Sequence, residues 1–322
     1  MWLSEIMLQQ TQVVTVIPYY QRFIASFPDV AALAQASEDA VLAHWSGLGY
    51  YTRARNLHAA AQVVMERHDG KFPHQFEQIL ELPGIGRSTA AAICALAYHE
   101  HHAILDGNVK RVLARHAAIE GYVGDKKIEA QLWQQAEALL PQADVAAYTQ
   151  GLMDLGATLC TRGKPKCDEC PVSSDCLAFQ SGRVAQLPTP RPRKVIPEKH
   201  STFLLLLHNG DILLEKRPSS GIWGGLWCPP QFANATEALA WCTQSGMETA
   251  SKKKLAPFVH IFTHFKLHIT PLSVELRQKP LVAAQPGSVW LEMEEALQAA
   301  IPTPVRKIIL GLRQQSEHLA LS

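Results

Sequence analysis

The sequence has no run of the roughly 18 to 20 apolar residues that a helix needs to span a bilayer. Its N-terminus lacks a basic region, a long apolar core and a small-residue cleavage site, which together mark secretion. Neither sign of charge dominates, because 30 Lys and Arg balance 29 Asp and Glu to a net charge of +1. We therefore expect a cytoplasmic protein without a membrane partner, in which any nucleic-acid footprint is a local patch.

Length and composition predict a folded protein with two domains. The chain has 322 residues, too many for one core of ordinary size. Hydrophobic residues make up 47% and charged residues 18%, which argues against wholesale disorder. Helical patterns dominate the first half, and strand patterns follow residue 200, where Asn209-Gly210 predicts a hairpin. We expect a mainly α N-terminal domain and an α+β C-terminal domain.

A Pro-Gly-Ile-Gly turn precedes an apolar helical pattern near residue 90. Pro83 fixes one backbone dihedral, and Gly84 and Gly86 permit a tight turn whose N–H groups point outward at the start of a helix. Such a turn can bind a phosphate without side-chain charge, because the N–H groups and the positive helix end attract an anion. This pattern predicts a site that binds the phosphate backbone of a nucleic acid independently of its base sequence.

Cations and a carboxylate follow this turn. Arg87, Lys110 and Arg111 add positive charge nearby in sequence, and Asp106 lies in an Asp-Gly-Asn turn at the edge of that basic stretch. A carboxylate there is the chemistry expected of a group that acts on bound nucleic acid. Taken separately, both turns are more often plain connections. Their combination favours the functional interpretation.

Four of the seven cysteines are grouped with the spacing x6, x2 and x5, namely Cys160, Cys167, Cys170 and Cys176. Disulfides are a poor explanation in a reducing compartment, so the spacing favours thiolate ligation of a metal centre. Zinc ribbons usually use two close Cys-x2-Cys pairs, whereas iron–sulfur sites tolerate uneven spacing. The spacing alone leaves both zinc and an iron–sulfur cluster open.

These turns and cysteines together resemble the helix-hairpin-helix DNA glycosylases, specifically the MutY-type adenine DNA glycosylases, over nearly the whole chain. The resemblance implies a glycosylase domain over residues 1–179, a basic Pro-rich linker over 180–199 and a Nudix-like domain that recognises 8-oxoguanine over 200–322. The cysteine spacing is similar to the 4Fe-4S loop of endonuclease III and MutY proteins. That similarity implies a structural 4Fe-4S cluster in the loop 160–176.

The resemblance implies an enzyme of base excision repair that removes adenine mispaired with 8-oxoguanine or guanine in double-stranded DNA. Glu5 is implied as the acid that protonates adenine, Asp106 as the carboxylate that stabilises the sugar oxocarbenium ion, and Asn108 as the residue that orients Asp106. From the residues themselves, Glu5 lies in a mostly apolar helical pattern that disfavours its charged form. The alternative for Glu5 is a first-turn glutamate that only complements the helix dipole.

The resemblance also assigns contacts with the mispaired nucleotides. Gln10, Thr11 and Tyr50 are implied to fill the gap that the extruded adenine leaves, and Leu8 and Val13 to line the adenine pocket. Tyr50 belongs to a glycine-flanked aromatic segment followed by arginines, which is typical of side chains that wedge into a base stack. Gap filling between helices is an equally good interpretation of Tyr50.

Further implied contacts lie in the hairpin and in the C-terminal domain. The phosphate-binding set is Gly84, Gly86, Arg87, Lys110 and Arg111, and the cluster loop adds Arg162, Lys164 and Lys166. Phe262-Thr263-His264 is similar to the Phe-Ser-His loop that reads 8-oxoguanine, with Thr supplying the hydroxyl donor. Nucleotide hydrolysis is not expected, because residues 232–249 contain only two glutamates, Glu237 and Glu248.

Ser88 separates this reading from a related one. Endonuclease III-like relatives place a lysine at this substrate-binding position and also cut the strand, whereas serine cannot form a Schiff base. We therefore expect a monofunctional glycosylase; a bifunctional glycosylase/lyase and a catalytically impaired, lesion-binding iron–sulfur protein are the alternatives. We also expect a monomer beside the nucleoid.

The start of the sequence departs from the resemblance. MutY proteins begin roughly thirty residues before the motif that matches Trp2–Glu5. We expect that the start is misassigned or trimmed, or that the protein lacks part of its adenine pocket and folds weakly.

Overall fold

The computed structural model of the chain describes residues 1–192, 195–279 and 287–320. Two cations of the predicted linker, Arg193 and Lys194, lie outside the described residues. No helix within the described ranges is both long enough and apolar enough to cross a membrane.

Contacts divide the chain into two compact units. The first unit comprises Met1–Val16 and Ala59–Lys194, and the second comprises Ile17–His58 and Val195–Ser322. Each unit therefore combines two separate stretches of chain, whereas the predicted glycosylase domain is continuous over residues 1–179. The predicted domain limits stay a prediction.

The first half of the chain is helical, as its patterns predict. The helices are α1 (Trp2–Leu8), α2 (Val13–Ser26), α3 (Val30–Gln35), α4 (Glu38–Trp45), α5 (Thr52–Arg67), α6 (Phe76–Leu80), α7 (Arg87–Tyr98), α8 (Gly107–His116), α9 (Lys126–Ala138), α10 (Val145–Asp154) and α11 (Leu177–Gln180). A π-helical turn, Leu155–Leu159, and a 3-10 turn, Cys167–Glu169, follow α10. Short polar side chains begin several helices, because they accept first-turn N–H groups at Asp29, Ser37, Asp106 and Asp125.

The core of the first unit lies between α7, α8 and α9. Its buried members are Ala91, Ala92, Ile104, Leu105, Val109, Leu113, Ala114, Leu132 and Ala136. The alanines leave little side-chain volume between the helices, and α10 packs against both α7 and α8. The predicted hairpin joins α6 to α7, and Gly84 in it has a φ of 78°, a left-handed value that favours glycine.

The second unit is built on a mixed sheet. The described residues form eight strands, β1 (Glu198–His208), β2 (Asp211–Lys216), β3 (Trp227–Cys228), β4 (Gln231–Phe232), β5 (Thr249–Lys254), β6 (Phe258–Ile261), β7 (Lys266–Leu276) and β8 (Ser288–Glu292). The main order is β3-β2-β1-β7-β5, with β4 paired to β1, β6 to β7 and β8 to β2. Strands β1 and β7 are parallel, and β1 and β2 are antiparallel.

The β1–β2 connection is the hairpin that the sequence predicts. Asn209 and Gly210 both have positive φ values, 51° and 87°, and His208 pairs with Asp211. Helices α12 (Ala235–Gln244), α13 (Met293–Gln298) and α14 (Thr303–Ala320) complete the α+β unit. Apolar side chains of β1, β2, β7 and α12 form its core.

Residues of α4 and of the turn after it contact the strand-rich part of the second unit. The Ser46 hydroxyl donates to the Ile301 carbonyl at 2.7 Å, and Lys216 Nζ lies 2.8 Å from Asp39 Oδ1. The first of these bonds is buried. These contacts explain why Ile17–His58 groups with Val195–Ser322.

Candidate active site

Helix α1 presents Glu5 in its first turn. Ile6 and Met7 next to it are buried, and Glu5 itself is half-buried. Burial raises the pKa of the Glu5 carboxyl above its ordinary value, the charge of Asp106 raises it further, and the N-terminal amino group partly offsets both. The structure therefore brings Glu5 and Asp106, which are about a hundred residues apart in sequence, near enough for the charge of Asp106 to act on the Glu5 carboxyl.

Asp106 is the N-cap of α8. Its Oδ1 accepts the Val109 N–H at 2.7 Å, so the carboxylate lies at the positive end of the helix. The residue before it is also fixed, because the Leu105 N–H donates to Ser88 Oγ at 3.0 Å. Ser88 thus ties the start of α7 to the segment that carries Asp106, a contact that the predicted substrate-binding role does not include.

Asn108 makes a different contact from the predicted one. Its Oδ1 accepts a hydrogen bond from Arg111 Nη2 at 2.9 Å. Its Cβ packs against Gly156, and a Cβ added to this glycine would lie 2.7 Å from the Cβ of Asn108. Asp106 instead bonds to the backbone of its own helix. The structure therefore links Asn108 to Arg111 and to the π-helical turn, and its predicted role in orienting Asp106 stays a prediction.

Arg111, a member of the predicted phosphate-binding set, lies inside the protein, and its phosphate contact stays a prediction. Its side chain is buried, and its guanidinium donates to the carbonyls of Cys160 at 2.7 Å and Gly156 at 2.5 Å. A side chain enclosed in this way is not a mobile surface cation. The helical period explains the difference, because α8 turns Arg111 towards the interior and Lys110 towards the surface.

The other hairpin cations lie nearer the surface. Arg87 pairs with Glu137 and stacks over the Trp133 ring at 3.8 Å, and Lys110 Nζ lies 2.6 Å from Glu129 Oε1. Gly86 is the N-cap of α7, and an added Cβ there would meet nothing within 4 Å. The start of α7 is therefore open to a partner that approaches from outside.

The connection between α1 and α2 carries most of the predicted wedge residues. Gln10 is exposed and has a φ of 57°, while Thr11 donates through Oγ1 to the Gln9 carbonyl at 3.3 Å. Leu8 ends α1 and is half-buried, and Val13 begins α2 with 62% of its surface exposed. Gln9 anchors this connection, because its Nε2 donates to Thr89 Oγ1 of α7 at 3.3 Å.

Tyr50, the remaining predicted wedge, belongs to the second unit. It is 47% exposed and has a φ of 49°, in a turn where Gly47 and Gly49 also have positive φ values. Arg53 is buried, with its guanidinium over the Trp45 ring at 5.4 Å and the Tyr50 ring at 5.5 Å. Its position beneath these rings fits support of the turn rather than phosphate contact.

The four grouped cysteines line one cavity, together with Val112, Leu155 and Phe179. Partial burial raises the pKa of the Cys167 thiol, and the charges of Cys160 and Cys176 raise it further, so the sulfurs face a common space. Among the described residues, no three of these sulfurs lie within 4.8 Å of one another. Thiolates on a single zinc ion would be about 3.8 Å apart, so the wider spacing fits a cluster.

Arg115 is a functional residue that the sequence interpretation missed. It is buried, and it donates to the carbonyls of Leu187 and Thr161, each at 2.8 Å, and to the Cys160 sulfur at 3.3 Å. The sequence contained an indication of this position, because Arg111 and Arg115 are four residues apart and therefore share one face of a helix, among apolar residues. Both arginines therefore fasten the cysteine loop to α8.

The predicted recognition loop forms the turn between β6 and β7. The Phe262 N–H donates to the Phe265 carbonyl at 2.9 Å, and the two rings are stacked at 4.5 Å. Thr263 and His264 are exposed at the tip, with Thr263 Oγ1 3.4 Å from His264 Nδ1. The stacked phenylalanines hold the turn, which leaves its two polar side chains available.

Three family models match separate parts of the chain. Residues 3–138 match the HhH-GPD superfamily of base excision DNA repair proteins, residues 160–176 the iron–sulfur binding domain of endonuclease III, and residues 202–311 the NUDIX domain. The middle match agrees with the cavity geometry, and together they identify the 4Fe-4S cluster as the cofactor of the cysteine loop.

Comparisons with individual proteins extend over nearly the whole chain. The chain is 40% identical over 314 residues to the adenine DNA glycosylase of Buchnera aphidicola subsp. Acyrthosiphon pisum (strain APS), covering 97% of this chain and 90% of that protein. It is 35% identical to the adenine DNA glycosylase of Mus musculus, covering 95% and 70%. A trapped endonuclease III–DNA covalent intermediate is similar in fold, with a TM-score of 0.50 at 18% identity over 56% of this chain and 84% of that chain.

Replacing Arg111 by methionine should loosen the cysteine loop. The change leaves the buried carbonyls of Cys160 and Gly156 without donors, and each costs about 1 to 3 kcal/mol. We expect lower iron content per chain and a lower urea midpoint, measured by cluster absorbance and circular dichroism. Arg162→Met, an exposed change in the same loop, is the control and should retain iron; equal iron in both variants would contradict this role for Arg111.

Proposed function

The chain belongs to the adenine DNA glycosylase family, and from this premise we propose that it excises adenine mispaired with 8-oxoguanine and, less efficiently, with guanine. The reaction is hydrolysis of the N-glycosidic bond, which leaves an abasic site for base excision repair. The observation that carries the proposal is that Glu5, whose pKa is raised by burial and by the charge of Asp106, faces a carboxylate at a helix N-terminus. Two carboxyl groups of different character are the requirement for acid-assisted cleavage at an anomeric carbon.

DNA is held first through its phosphates. The N–H groups at the start of α7, behind the open position of Gly86, present a positive helix end to the backbone. Arg87 and Lys110 add charge there when DNA phosphates replace their carboxylate partners, and Arg162, Lys164 and Lys166 add charge from the cluster loop. Because the chain's net charge is only +1, DNA binding must rely on this local group of cations.

The adenine must leave the base stack before Glu5 can reach it. Gln10, Thr11 and Tyr50 fill the space that the adenine leaves, while Leu8 and Val13 line the pocket that receives it. Gln10 and Tyr50 both have left-handed backbone conformations although neither is glycine. Such strained conformations cluster at functional sites, which supports a wedge role for both residues.

Cleavage then follows from the two carboxyl groups. Adenine is a poor leaving group as an anion, so Glu5 transfers its proton to a ring nitrogen as the C–N bond breaks. The electron pair of that bond leaves with the base, and the sugar becomes an oxocarbenium ion beside the Asp106 carboxylate. Water adds to the sugar carbon and loses a proton, which completes hydrolysis. Ser88 supplies no amine, so no Schiff base forms and the strand stays intact.

The cluster loop and the second unit contribute binding rather than chemistry. Cys160, Cys167, Cys170 and Cys176 would hold the 4Fe-4S cluster, which cross-links a loop that is poor in regular structure and thereby presents its basic side chains. Phe262, Thr263 and His264 read the 8-oxoguanine, with the polar pair at the tip of the β6–β7 turn donating to its exocyclic groups.

Glu5→Gln and Asp106→Asn should each abolish most adenine release from an 8-oxoguanine:adenine duplex. The first removes the proton donor and the second removes the charge opposite the oxocarbenium ion, so we expect losses of about 100-fold or more in single-turnover rate. Glu77→Gln, a first-turn glutamate of α6 that is exposed, and Asp125→Asn, the N-cap of α9, are matched controls and should retain the rate.

The same assay separates the alternative functions. Intact mismatch binding with no release by the unaltered chain would identify a binding protein without catalysis. Borohydride-trapped enzyme–DNA adduct in amounts matching strand cleavage would identify a glycosylase/lyase.

The pH dependence should show Glu5 as an acid. Because its protonated form is active, the single-turnover rate should fall about tenfold per pH unit as pH rises above its raised pKa. Asp106→Asn removes a negative charge that raises this pKa, so the falling limb of the residual activity should move to lower pH. A limb that stays in place, or moves equally in Asp125→Asn, would refute the coupling.

His264→Ala should reduce discrimination between the two mispairs. The change removes an exposed donor at the loop tip and leaves the stacked phenylalanines intact. We expect the preference for 8-oxoguanine:adenine over guanine:adenine to fall by about 5- to 30-fold, the value of one good hydrogen bond to a base, while the guanine:adenine rate changes little. His200→Ala, on strand β1, is the control, and a uniform loss on both duplexes would argue against recognition.

A further inference from the structure

The C-terminal end of α7 carries three side chains that the glycosylase reaction does not use. The Cys94 sulfur, a Glu100 carboxylate oxygen and a His102 ring nitrogen all lie within 4.8 Å of one another. Cys94 is fully buried, whereas Glu100 and His102 are half-buried at the surface. The group therefore has one interior ligand and two ligands that solvent and ions can reach.

The backbone brings these three residues together. Helix α7 ends at Tyr98, and His99 adopts a left-handed conformation with φ of 60° and ψ of 26°. The N–H groups of His99 and Glu100 both donate to the Cys94 carbonyl, which folds the chain back over the last turn of the helix. His102 follows because its N–H donates to the Glu100 carbonyl at 3.0 Å.

The side chains are already oriented towards one another. The His102 ring is stacked on Phe76 at 4.5 Å with an interplanar angle of 16°, and its Nε2 lies 3.3 Å from Glu100 Oε2. The Cys94 sulfur lies 4.0 Å from the His74 carbonyl oxygen, and the Glu100 carboxyl is near enough to raise the pKa of the thiol further. Ligands held in place in this way lose little conformational freedom when an ion binds.

We propose that Cys94, Glu100 and His102 bind one divalent transition-metal ion of the zinc class, with water as the fourth ligand. Thiolate, imidazole and carboxylate are the three donor types that zinc takes, whereas calcium and magnesium require oxygen ligands. On binding, the Cys94 S–H bond breaks, its proton leaves to solvent and a sulfur–metal bond forms. Burial raises the pKa of the free thiol to about 12, so the ion must displace this proton.

Such an ion would fasten the connection that leads to the active site. Residues 99–105 join α7 to Asp106, and Ile104 and Leu105 at its end are buried in the core. An ion bound by both Cys94 in α7 and His102 in this connection would hold the connection against the helix. The site is therefore structural, and it does not depend on the proposed reaction.

The test is a titration of the full chain, with its iron–sulfur cluster intact, with cobalt(II) alone. A thiolate–cobalt bond gives a charge-transfer absorption that imidazole and carboxylate ligands do not give. We expect one equivalent of cobalt with this absorption, displaced by zinc and lost in Cys94→Ser. His102→Asn and Glu100→Gln should weaken binding at least about tenfold, the lower bound for changes even in outer ligands.

Two controls match these variants. Cys242→Ser changes another buried cysteine, and His101→Asn changes an exposed neighbour; both should bind cobalt as the unaltered chain does. Absence of the thiolate absorption from the unaltered chain, or its persistence in Cys94→Ser at equal iron content, would overturn the proposal. Should Cys94→Ser fail to fold, unchanged affinity in both His102→Asn and Glu100→Gln would overturn it equally.

Discussion

The electrostatic interaction between Glu5 and Asp106 is the interaction on which the candidate active site depends. Burial disfavours the charged form of the Glu5 carboxyl and the charge of Asp106 disfavours it further, so the pKa of Glu5 is raised. The two carboxyl groups differ in their surroundings, because Asp106 accepts the Val109 N–H at the start of α8, whereas Glu5 lies beside the buried Ile6 and Met7. The proposed roles of acid and stabiliser rest on this difference.

Helix α8 connects this pair to the cysteine loop. Its N-cap is Asp106, and one turn further Arg111 donates to carbonyls of Gly156 and Cys160, followed by Arg115 on Cys160 and Thr161. Buried guanidinium groups are tolerated only when their donors are satisfied, so the loop and the helix specify each other's positions. The cysteine loop and the carboxylate of Asp106, for which we propose a catalytic role, are therefore both attached to helix α8.

The electrostatic design is local. Cations that could reach phosphates are paired with carboxylates, as Arg87 is with Glu137 and Lys110 with Glu129, while the start of α7 offers uncharged N–H groups. The Arg87–Glu137 pair is exposed, and exposed ion pairs contribute little to stability, so exchange of its carboxylate for a phosphate costs little. Because the chain has a net charge of only +1, binding of a polyanion depends on these local groups rather than on the overall charge.

Much of this protein can be determined from its sequence. The Asn209-Gly210 hairpin, the helix that begins at Asp106 and the glycine turn before α7 follow from local rules, because turn and cap residues act on neighbouring backbone groups. The cysteine spacing and the short motifs carry the resemblance to the family, and it is this resemblance that implies the 4Fe-4S cofactor. The sequence indicated Glu5 and Asp106 as candidate acids separately. It did not indicate that they lie near each other.

The tertiary structure alone decided which charged side chains face inward. Arg111 was expected at the surface and is buried, Arg115 was not considered and fastens the loop, and Cys94 lies with Glu100 and His102 although nothing in its spacing suggests a ligand group. The helical period tells which residues share a face of the helix. Which of these faces is buried depends on the segments, distant in sequence, that pack against it. Burial, pKa shifts and ligand geometry are therefore sums over neighbours remote in sequence, which local patterns do not contain.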